Sequence, residues 1–196
     1  MEKLLFVDCC IRREESRTKV LADYFMDKIR AKGKYEIENL CLMDENLSFM
    51  SEGFFRQRDE LLDKKELNHP RFHYAHQFAE ADRIVIAAPF WDLSFPALLK
   101  IYIENLCVHG ITFGYGPKGL QGICKAQNLV FITTRGTFYE NSPMEMGSRY
   151  MEAMCRFWGI GEYDCVFAEG LDAREEPAEL LMNKGKALAD KVSEKF

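Results

Sequence analysis

Residues 83–92 read Arg-Ile-Val-Ile-Ala-Ala-Pro-Phe-Trp-Asp, and this stretch decides the fold. Its first six residues form a short apolar run with β-branched side chains, which is typical of a strand buried on both faces. Pro89 has no N–H to donate and ends the strand. Phe90 and Trp91 follow in a loop beyond the carboxyl end of that strand, where open α/β sheets bind their ligands. The two rings either form the wall of a site for a flat ligand or pack under the next helix, and the stretch alone leaves both interpretations open.

Composition indicates a single domain with neither nucleic acid nor a membrane as partner. The 196 residues are 47% hydrophobic, which suffices for one substantial core. Acidic residues number 31 and basic residues 26, for a net charge of -5 without a long basic block. The N-terminal apolar run Leu4-Leu5-Phe6-Val7 ends at Asp8 and is too short for a signal peptide or a membrane span. These features predict a soluble, cytoplasmic protein.

The residue types that commonly bind metals are not arranged as a metal site. Seven cysteines stand at positions 9, 10, 41, 107, 124, 155 and 165, an odd number without a C-x-x-C pair. This argues against a disulfide framework, a thiolate-bound zinc and an iron–sulfur cluster, and predicts small buried thiols instead. His69, His73 and His76 lie close in sequence to Glu80, but we interpret them as a partly exposed helix face.

A candidate anion site follows the first strand, which we predict over residues 3–10. Ser16 then opens a helix with apolar residues at spacings of three and four, and Gly33 stops it. Free N–H groups and the positive end of the helix dipole, together with Ser16, Arg17 and Thr18, predict a phosphate cradle. The alternative is that Ser16 only caps the helix and Thr18 is solvated. The chain has no Walker lysine and no G-x-G-x-x-G, which argues against a P-loop or a dinucleotide fingerprint.

Further strands and helices alternate along the chain. Strands are predicted over residues 35–42, 126–134 and 163–168. Pro70 and Pro177 are each predicted to begin a helix. A further helix is capped by Ser94, has Pro96 in its first turn and ends at Gly110. A capping box at 142–145 begins another helix, which runs to Trp158. Segment 44–69 contains a helix and is interpreted as a lid or an interface element. Residues 112–120 form a glycine-rich excursion.

Five short apolar strands that alternate with helices predict an α/β fold with a doubly wound parallel sheet and helices on both faces. The ligand-like loop after the third strand favours the strand order 2-1-3-4-5. The loops after strands one, three and four then converge at one edge of the sheet. We expect the first loop to hold a phosphate, and the other two, including Arg135-Gly136-Thr137, to hold a ring.

Several short motifs, in their order along the chain, resemble the FMN-dependent NADH-azoreductase family of flavodoxin-like quinone reductases. They are Ala-Ala-Pro-Phe-Trp at 87–91, Phe-Pro-Ala-Leu-Leu-Lys at 95–100, Gly-Ile-Thr-Phe at 110–113, Gly-Pro-Lys-Gly-Leu at 116–120 and Thr-Arg-Gly at 134–136. Each piece is common by itself. Their order and spacing are specific, and the resemblance covers essentially the whole chain.

The resemblance implies an FMN-dependent NAD(P)H oxidoreductase of flavodoxin-like fold, one domain over residues 1–196, that reduces quinones, and azo or nitro compounds more slowly, by ping-pong two-electron transfer. NADH or NADPH is the implied electron donor, and the implied assembly is a homodimer with a flavin site at each end of its interface. The residues that the resemblance assigns to FMN are Cys10, Ser16, Arg17 and Thr18 in the phosphate loop, Phe90, Trp91, Asp92 and Leu93 at the isoalloxazine ring, and Thr134, Arg135, Gly136 and Thr137 in a second flavin loop.

Three of these residues depart from the family pattern. Cys10 replaces the usual Ser, Asp92 the usual Asn, and Thr137 a usual second Gly. A carboxylate at Asp92 beside the ring disfavours an anionic reduced flavin and so lowers its reduction potential.

The sequence identifies no catalytic acid, since Tyr115, Tyr139 and His109 suit structural roles equally well. It also leaves three alternative functions open: a flavin reductase that releases reduced FMN, a flavodoxin-like electron carrier, and a regulatory module that has lost its flavin. A carrier usually has a strongly acidic rim, whereas a net charge of -5 over 196 residues is mild.

Overall fold

The structure, a computed structural model, describes residues 1–117 and 119–196; Lys118, part of the predicted glycine-rich excursion, lies outside the described residues. The strands are β1 (Glu2–Asp8), β2 (Tyr35–Cys41), β3 (Arg83–Ala87), β4 (Phe113–Gly116), β5 (Gly119–Gly122), β6 (Asn128–Thr134) and β7 (Glu162–Ala168). The α-helices are α1 (Arg17–Ala31), α2 (Glu52–Asp63), α3 (His73–Glu80), α4 (Ala97–Leu106), α5 (Gly147–Phe157) and α6 (Ala178–Ser193).

Five strands form one parallel sheet in the order β2-β1-β3-β6-β7. Since β6 and β7 are the fourth and fifth strands of this sheet along the chain, the predicted order 2-1-3-4-5 is confirmed. β3 pairs with β1 on one side and with β6 on the other. The strand order therefore reverses between β1 and β3, and a crevice opens at their carboxyl ends.

Alternate side chains of β3 enter two different hydrophobic cores, because successive residues of a strand point to opposite faces. Ile84 and Ile86 pack with residues of α3, α4 and α5, whereas Val85 and Ala87 pack with residues of α1 and α6. All four are fully buried. This double burial explains why residues 84–88 are continuously apolar rather than alternating.

The predicted start and end of the helix after β3 are wrong. α4 begins at Ala97 with Pro96 as its N-cap, and Ser94 instead exchanges two backbone hydrogen bonds with Trp91. The helix ends at Leu106, well before Gly110. The buried Thr112 hydroxyl donates to the Leu106 carbonyl at 2.6 Å, so a residue beyond the helix satisfies one of its last acceptors.

The predicted capping box at 142–145 is also wrong. α5 begins at Gly147, and the Ser142 hydroxyl accepts from the Met144 N–H at 3.2 Å. The Glu145 carboxylate accepts from the Ser148 N–H at 2.9 Å, in the first turn of the helix. The predicted helix end is close to the observed one, since Trp158 is the C-cap.

The glycine-rich excursion contains an antiparallel hairpin of β4 and β5 that the sequence analysis did not assign to strands. The hairpin lies against the end of α5, where Gly122 and Gly159 bring the two backbones together. A Cβ built on Gly122 would lie 1.9 Å from the backbone carbonyl carbon of Trp158. Only a residue without a side chain fits at that position.

Segment 44–69 contains α2 and two exposed phenylalanines. Phe49 is 66% exposed and Phe55 is 46% exposed, whereas Leu61 of α2 is buried.

Among the described helices, none combines the length and the apolar character needed to cross a membrane.

Candidate functional site

A cavity of about 310 Å³ lies at the edge of the sheet where the loops after β1, β3, β6 and β7 meet. Its lining residues are Arg12, Glu15, Ser16, Arg17, Thr18, Pro89, Phe90, Trp91, Thr134, Gly136 and Asp172. Seven of the twelve residues that the sequence analysis assigned to a cofactor are among them: Ser16, Arg17, Thr18, Phe90, Trp91, Thr134 and Gly136. The three predicted loops therefore do converge.

The loop after β1 delivers the N-terminus of α1 to one end of this cavity. Ser16 is the N-cap, and its hydroxyl accepts from the Lys19 N–H at 3.3 Å. Arg17 and Thr18 are the first two helical residues, and their N–H groups have no preceding turn to which they can donate. This end of the cavity is rich in hydrogen-bond donors and carries the positive end of the helix dipole.

The hydroxyls of Thr18 and Thr134 lie 2.6 Å apart and join the first turn of α1 to the end of β6. Thr18 is fully buried, so the alternative that it is solvated is wrong. A hydroxyl has one hydrogen to donate and can accept as well. When Thr134 donates to Thr18, the Thr18 hydroxyl keeps its own hydrogen for an anion.

The loop after β3 presents an aromatic wall to the same cavity. The Phe90 N–H donates to the Thr134 carbonyl at 3.1 Å, and the Phe90 ring packs on Tyr139 with centroids 4.7 Å apart. The Trp91 side chain is 40% exposed. Both residues line the cavity rather than filling the core under α4, and their role as the wall of a site for a flat ligand stays a prediction.

A strained two-residue turn follows Trp91. Trp91 and Ser94 exchange backbone hydrogen bonds of 3.2 and 2.8 Å around Asp92 and Leu93, whose φ angles are 50° and 67°. Asp tolerates this left-handed conformation, but for Leu it is rare and costs about 1–3 kcal/mol. Asp92 and Leu93 are exposed and do not line the cavity, so their assignment to the flavin stays a prediction.

The Arg135 side chain points into the protein rather than into the cavity. It is 3% exposed and forms ion pairs with Glu145 and Glu169 at 3.3 and 3.2 Å. The Glu169 carboxylate also accepts from the Tyr139 N–H at 2.8 Å, so this buried cluster braces the loop after β6. Thr137 is exposed and also outside the lining, and for both residues the predicted flavin contact remains untested.

Cys10 is fully buried and lies beneath the cavity rather than in its lining. β1 ends at Asp8 and not at the predicted residue 10, because the Asp8 carboxylate accepts from the Cys10 N–H at 2.8 Å and turns the chain. The Cys10 thiol lies 3.9 Å from the Ala87 carbonyl and packs with α1. Its role as a cofactor residue stays a prediction.

Burial raises the pKa of all seven cysteine thiols, and all seven are free. For Cys9 the pKa rises to about 12 and for Cys155 to about 11. The Asp8 carboxylate raises the pKa of Cys10 further by disfavouring a second negative charge. The thiols are therefore protonated at neutral pH.

Asp172, in the loop after β7, is the principal lining residue that the sequence analysis missed. Both of its carboxylate oxygens accept from the Arg17 guanidinium, at 2.9 Å each. The rule that ligands bind at the carboxyl ends of the strands, applied also to the last strand, would have identified it. Arg12 and Glu15, which pair with each other at 3.3 Å, were missed as well because they were taken as a polar loop.

The candidate acceptor-side residues are dispersed. Tyr139 packs on Phe90, but it does not line the cavity, and Tyr115 is 73% exposed and packs near His109 on the β4–β5 hairpin. Within residues 1–117 and 119–196, no three His, Cys, Asp or Glu side chains are grouped closely enough to hold a metal ion.

Comparisons with known proteins agree with this geometry. The family described as having a flavodoxin-like fold matches residues 2–192. The chain is 38% identical to the FMN-dependent NADH:quinone oxidoreductase 2 of Clostridium acetobutylicum and 36% identical to the FMN-dependent NADH:quinone oxidoreductase of Clostridium perfringens, in each case over the whole of both chains. A crystal structure of azoreductase from Bacillus anthracis matches it with a TM-score of 0.89, 28% identity and full coverage of both chains.

The family match covers nearly the whole chain, and the relatives that exceed 30% identity cover all of it. The crevice between β1 and β3, the donor-rich end of α1 and the aromatic wall lie together at one edge of the sheet. The chain therefore belongs to the flavodoxin-like family of FMN-dependent NADH:quinone oxidoreductases and azoreductases.

Proposed function

We propose that the protein is an FMN-dependent NADH:quinone oxidoreductase that also reduces azo compounds. One observation carries the proposal: a single cavity joins the donor-rich N-terminus of α1 to the aromatic pair Phe90 and Trp91. A ligand that combines a phosphate monoester with a flat ring needs both of these ends of the cavity. The names of the relatives support the donor and the acceptor.

The phosphate end of the cavity suits FMN rather than a dinucleotide. The Ser16 hydroxyl, the N–H groups of Arg17 and Thr18 and the Arg17 guanidinium form a short cradle for one phosphate group. The chain has no glycine-rich fingerprint for a pyrophosphate. We propose Ser16, Arg17 and Thr18 as the phosphate-binding residues.

The ring end of the cavity suits a flat redox cofactor. The redox chemistry that FMN would supply here is the uptake of hydride from nicotinamide and the two-electron reduction of the quinone. Phe90, Trp91, Thr134 and Gly136 orient the ring, and the aromatic side chains exclude water from its face. No side-chain nucleophile is needed, in keeping with seven protonated thiols. Nicotinamide and quinone must occupy the same slot in turn.

The scaffold for this chemistry is proposed to be one domain with helices on both faces of the sheet, which the two separate cores support. We also propose a homodimer. A cytoplasmic location is supported by the seven free thiols, which suit a reducing compartment.

The proposal predicts a flavin spectrum and alternating kinetics. Purified protein reconstituted with FMN and with FAD should retain FMN, and initial rates with NADH at several fixed quinone concentrations should give parallel double-reciprocal lines. Intersecting lines would mean that both substrates bind together. If reduced FMN is released into solution and the rate saturates with free FMN as a substrate, the protein is instead a flavin reductase. If the reduced protein is stable and turns over only with a partner protein, it is an electron carrier.

A further inference from the structure

Arg17 does not face the cavity as a free cation. Its guanidinium donates to both carboxylate oxygens of Asp172 at 2.9 Å and to the Leu171 carbonyl at 3.2 Å. These contacts take three of its five N–H donors. The two donors that remain are on the Nε and Nη2 atoms, and together they form the edge with which an arginine binds phosphate in a bidentate manner.

Asp172 is held in this position by the backbone. Its N–H donates to the Gly136 carbonyl at 2.7 Å, and the Leu171 N–H donates to the Arg135 carbonyl at 3.2 Å. The carboxylate lies beside Gly136, where a built Cβ would be 2.7 Å from the Asp172 Oδ2. The missing side chain at Gly136 therefore makes the space through which the carboxylate reaches the cavity and Arg17.

The charged residues of the cavity lining cancel in pairs. Arg17 pairs with Asp172, and Arg12 pairs with Glu15. Arg17 also lowers the pKa of the Asp172 carboxyl by hydrogen bonding, so the carboxylate is ionised at neutral pH. An incoming phosphate dianion meets a guanidinium whose charge is already compensated, next to a fixed negative charge.

We propose that Asp172 competes electrostatically with the FMN phosphate for Arg17, whose charge it compensates, and thereby limits the preference of the protein for FMN over riboflavin. This inference rests on the proposed binding of FMN in this cavity with its phosphate at the end of α1. The two flavins share the ring and the ribityl chain and differ only in the phosphate. The carboxylate therefore acts on the FMN affinity and leaves the riboflavin affinity nearly unchanged.

The test is a fluorescence titration of the flavin-free full-length protein with FMN and, separately, with riboflavin. Asp172→Asn keeps the shape of the side chain and removes its charge, so the ratio of the riboflavin to the FMN dissociation constant should rise about tenfold. Arg17→Gln removes the contested cation, so the same ratio should fall about tenfold.

The matched control is Asp44→Asn. Asp44 forms a similar exposed pair with Arg13, 2.7 Å between the Oδ1 and Nη2 atoms, but neither residue lines the cavity. This variant should leave the ratio unchanged, which separates a local effect from the loss of any one negative charge.

Three outcomes are distinguishable. A higher ratio of the riboflavin to the FMN dissociation constant in Asp172→Asn, with an unchanged ratio in Asp44→Asn, supports competition. An unchanged or lower ratio in Asp172→Asn, with FMN still bound by the unaltered protein, overturns the inference and leaves the proposed function intact; a lower ratio would mean that Asp172 serves to orient Arg17. Failure of the unaltered protein to bind either flavin overturns the inference and the proposed function together.

Discussion

The buried pair of hydroxyls on Thr18 and Thr134 connects the first turn of α1 to the end of β6 at the cavity. Thr18→Val preserves the shape of the side chain but leaves the Thr134 hydroxyl without this partner. Because a buried polar group that loses its partner costs desolvation energy, we expect the free energy of unfolding to fall by about 1–3 kcal/mol. Urea unfolding followed by circular dichroism measures this change.

Replacing both threonines by valine should cost less than the sum of the two single changes, because neither hydroxyl is then left unpaired. Thr137→Val is the control, since Thr137 is exposed on the same loop and its change should lie within about 0.5 kcal/mol. If the loss of unfolding free energy in the double variant equals the sum of the two single losses, the hydrogen bond between Thr18 and Thr134 is contradicted.

At the scale of single residues, the sequence predicted seven of the residues that line the cavity but not all of its charged residues. Ser16, Thr18, Phe90 and Trp91 were found because a strand followed by a cap or by aromatics is a local pattern. Asp172 was missed because the rule for strand ends was not applied to the last strand, and its contact with Arg17 arises only in the folded chain.

At the scale of elements, the β4–β5 hairpin depends on one close contact with α5. Gly122→Ala would place a methyl group 1.9 Å from the Trp158 backbone, so the hairpin must move away. We expect the free energy of unfolding to fall by about 1–3 kcal/mol or more, measured by thermal and urea unfolding.

Gly114→Ala is the matched control for this change. Gly114 lies in β4 of the same hairpin, and a Cβ built on it meets no atom within 4 Å. Gly114→Ala should change the free energy of unfolding by no more than about 0.5 kcal/mol. Equal costs for the two alanines would show that the hairpin tolerates the contact and that only glycine flexibility matters.

Elements were predicted where their signal is local. The strands β1, β3 and β6 contain continuous apolar runs that are recognisable in the sequence, and the loop after β3 favoured the observed strand order. Helix starts were misplaced where the expected capping residue takes part in a turn before the helix: Ser94 closes a turn with Trp91, and the Ser142 hydroxyl accepts from the Met144 N–H. The β4–β5 hairpin was missed because glycines weaken the strand pattern.

At the scale of the whole molecule, we expect the interface of the proposed homodimer to include segment 44–69 or the helix α4, which border one groove. A cavity of about 250 Å³ lies between segment 44–69, α4 and α5, with Met50, Ile103, Met154 and Phe157 among its lining residues. We expect sedimentation at micromolar concentration to give twice the mass of one chain. Met50→Glu should produce a monomer, because a charge would lose its hydration in the interface.

Leu180→Glu provides the control for this change. Leu180 is 49% exposed on α6, away from the groove, so its replacement should leave the dimer intact. A monomer without any substitution, or a dimer that survives Met50→Glu, would contradict the proposed interface.

The raised pKa values of the seven thiols have a consequence for the lifetime of such a protein. Peroxides and alkylating agents attack the thiolate, not the thiol, and buried sulfurs are also hard to reach. A protein that passes electron pairs through an open crevice works beside reactive oxidants. All seven thiols are protonated at neutral pH, and three of them, Cys9, Cys10 and Cys155, are also buried, so we expect these three cysteines to resist oxidation and alkylation.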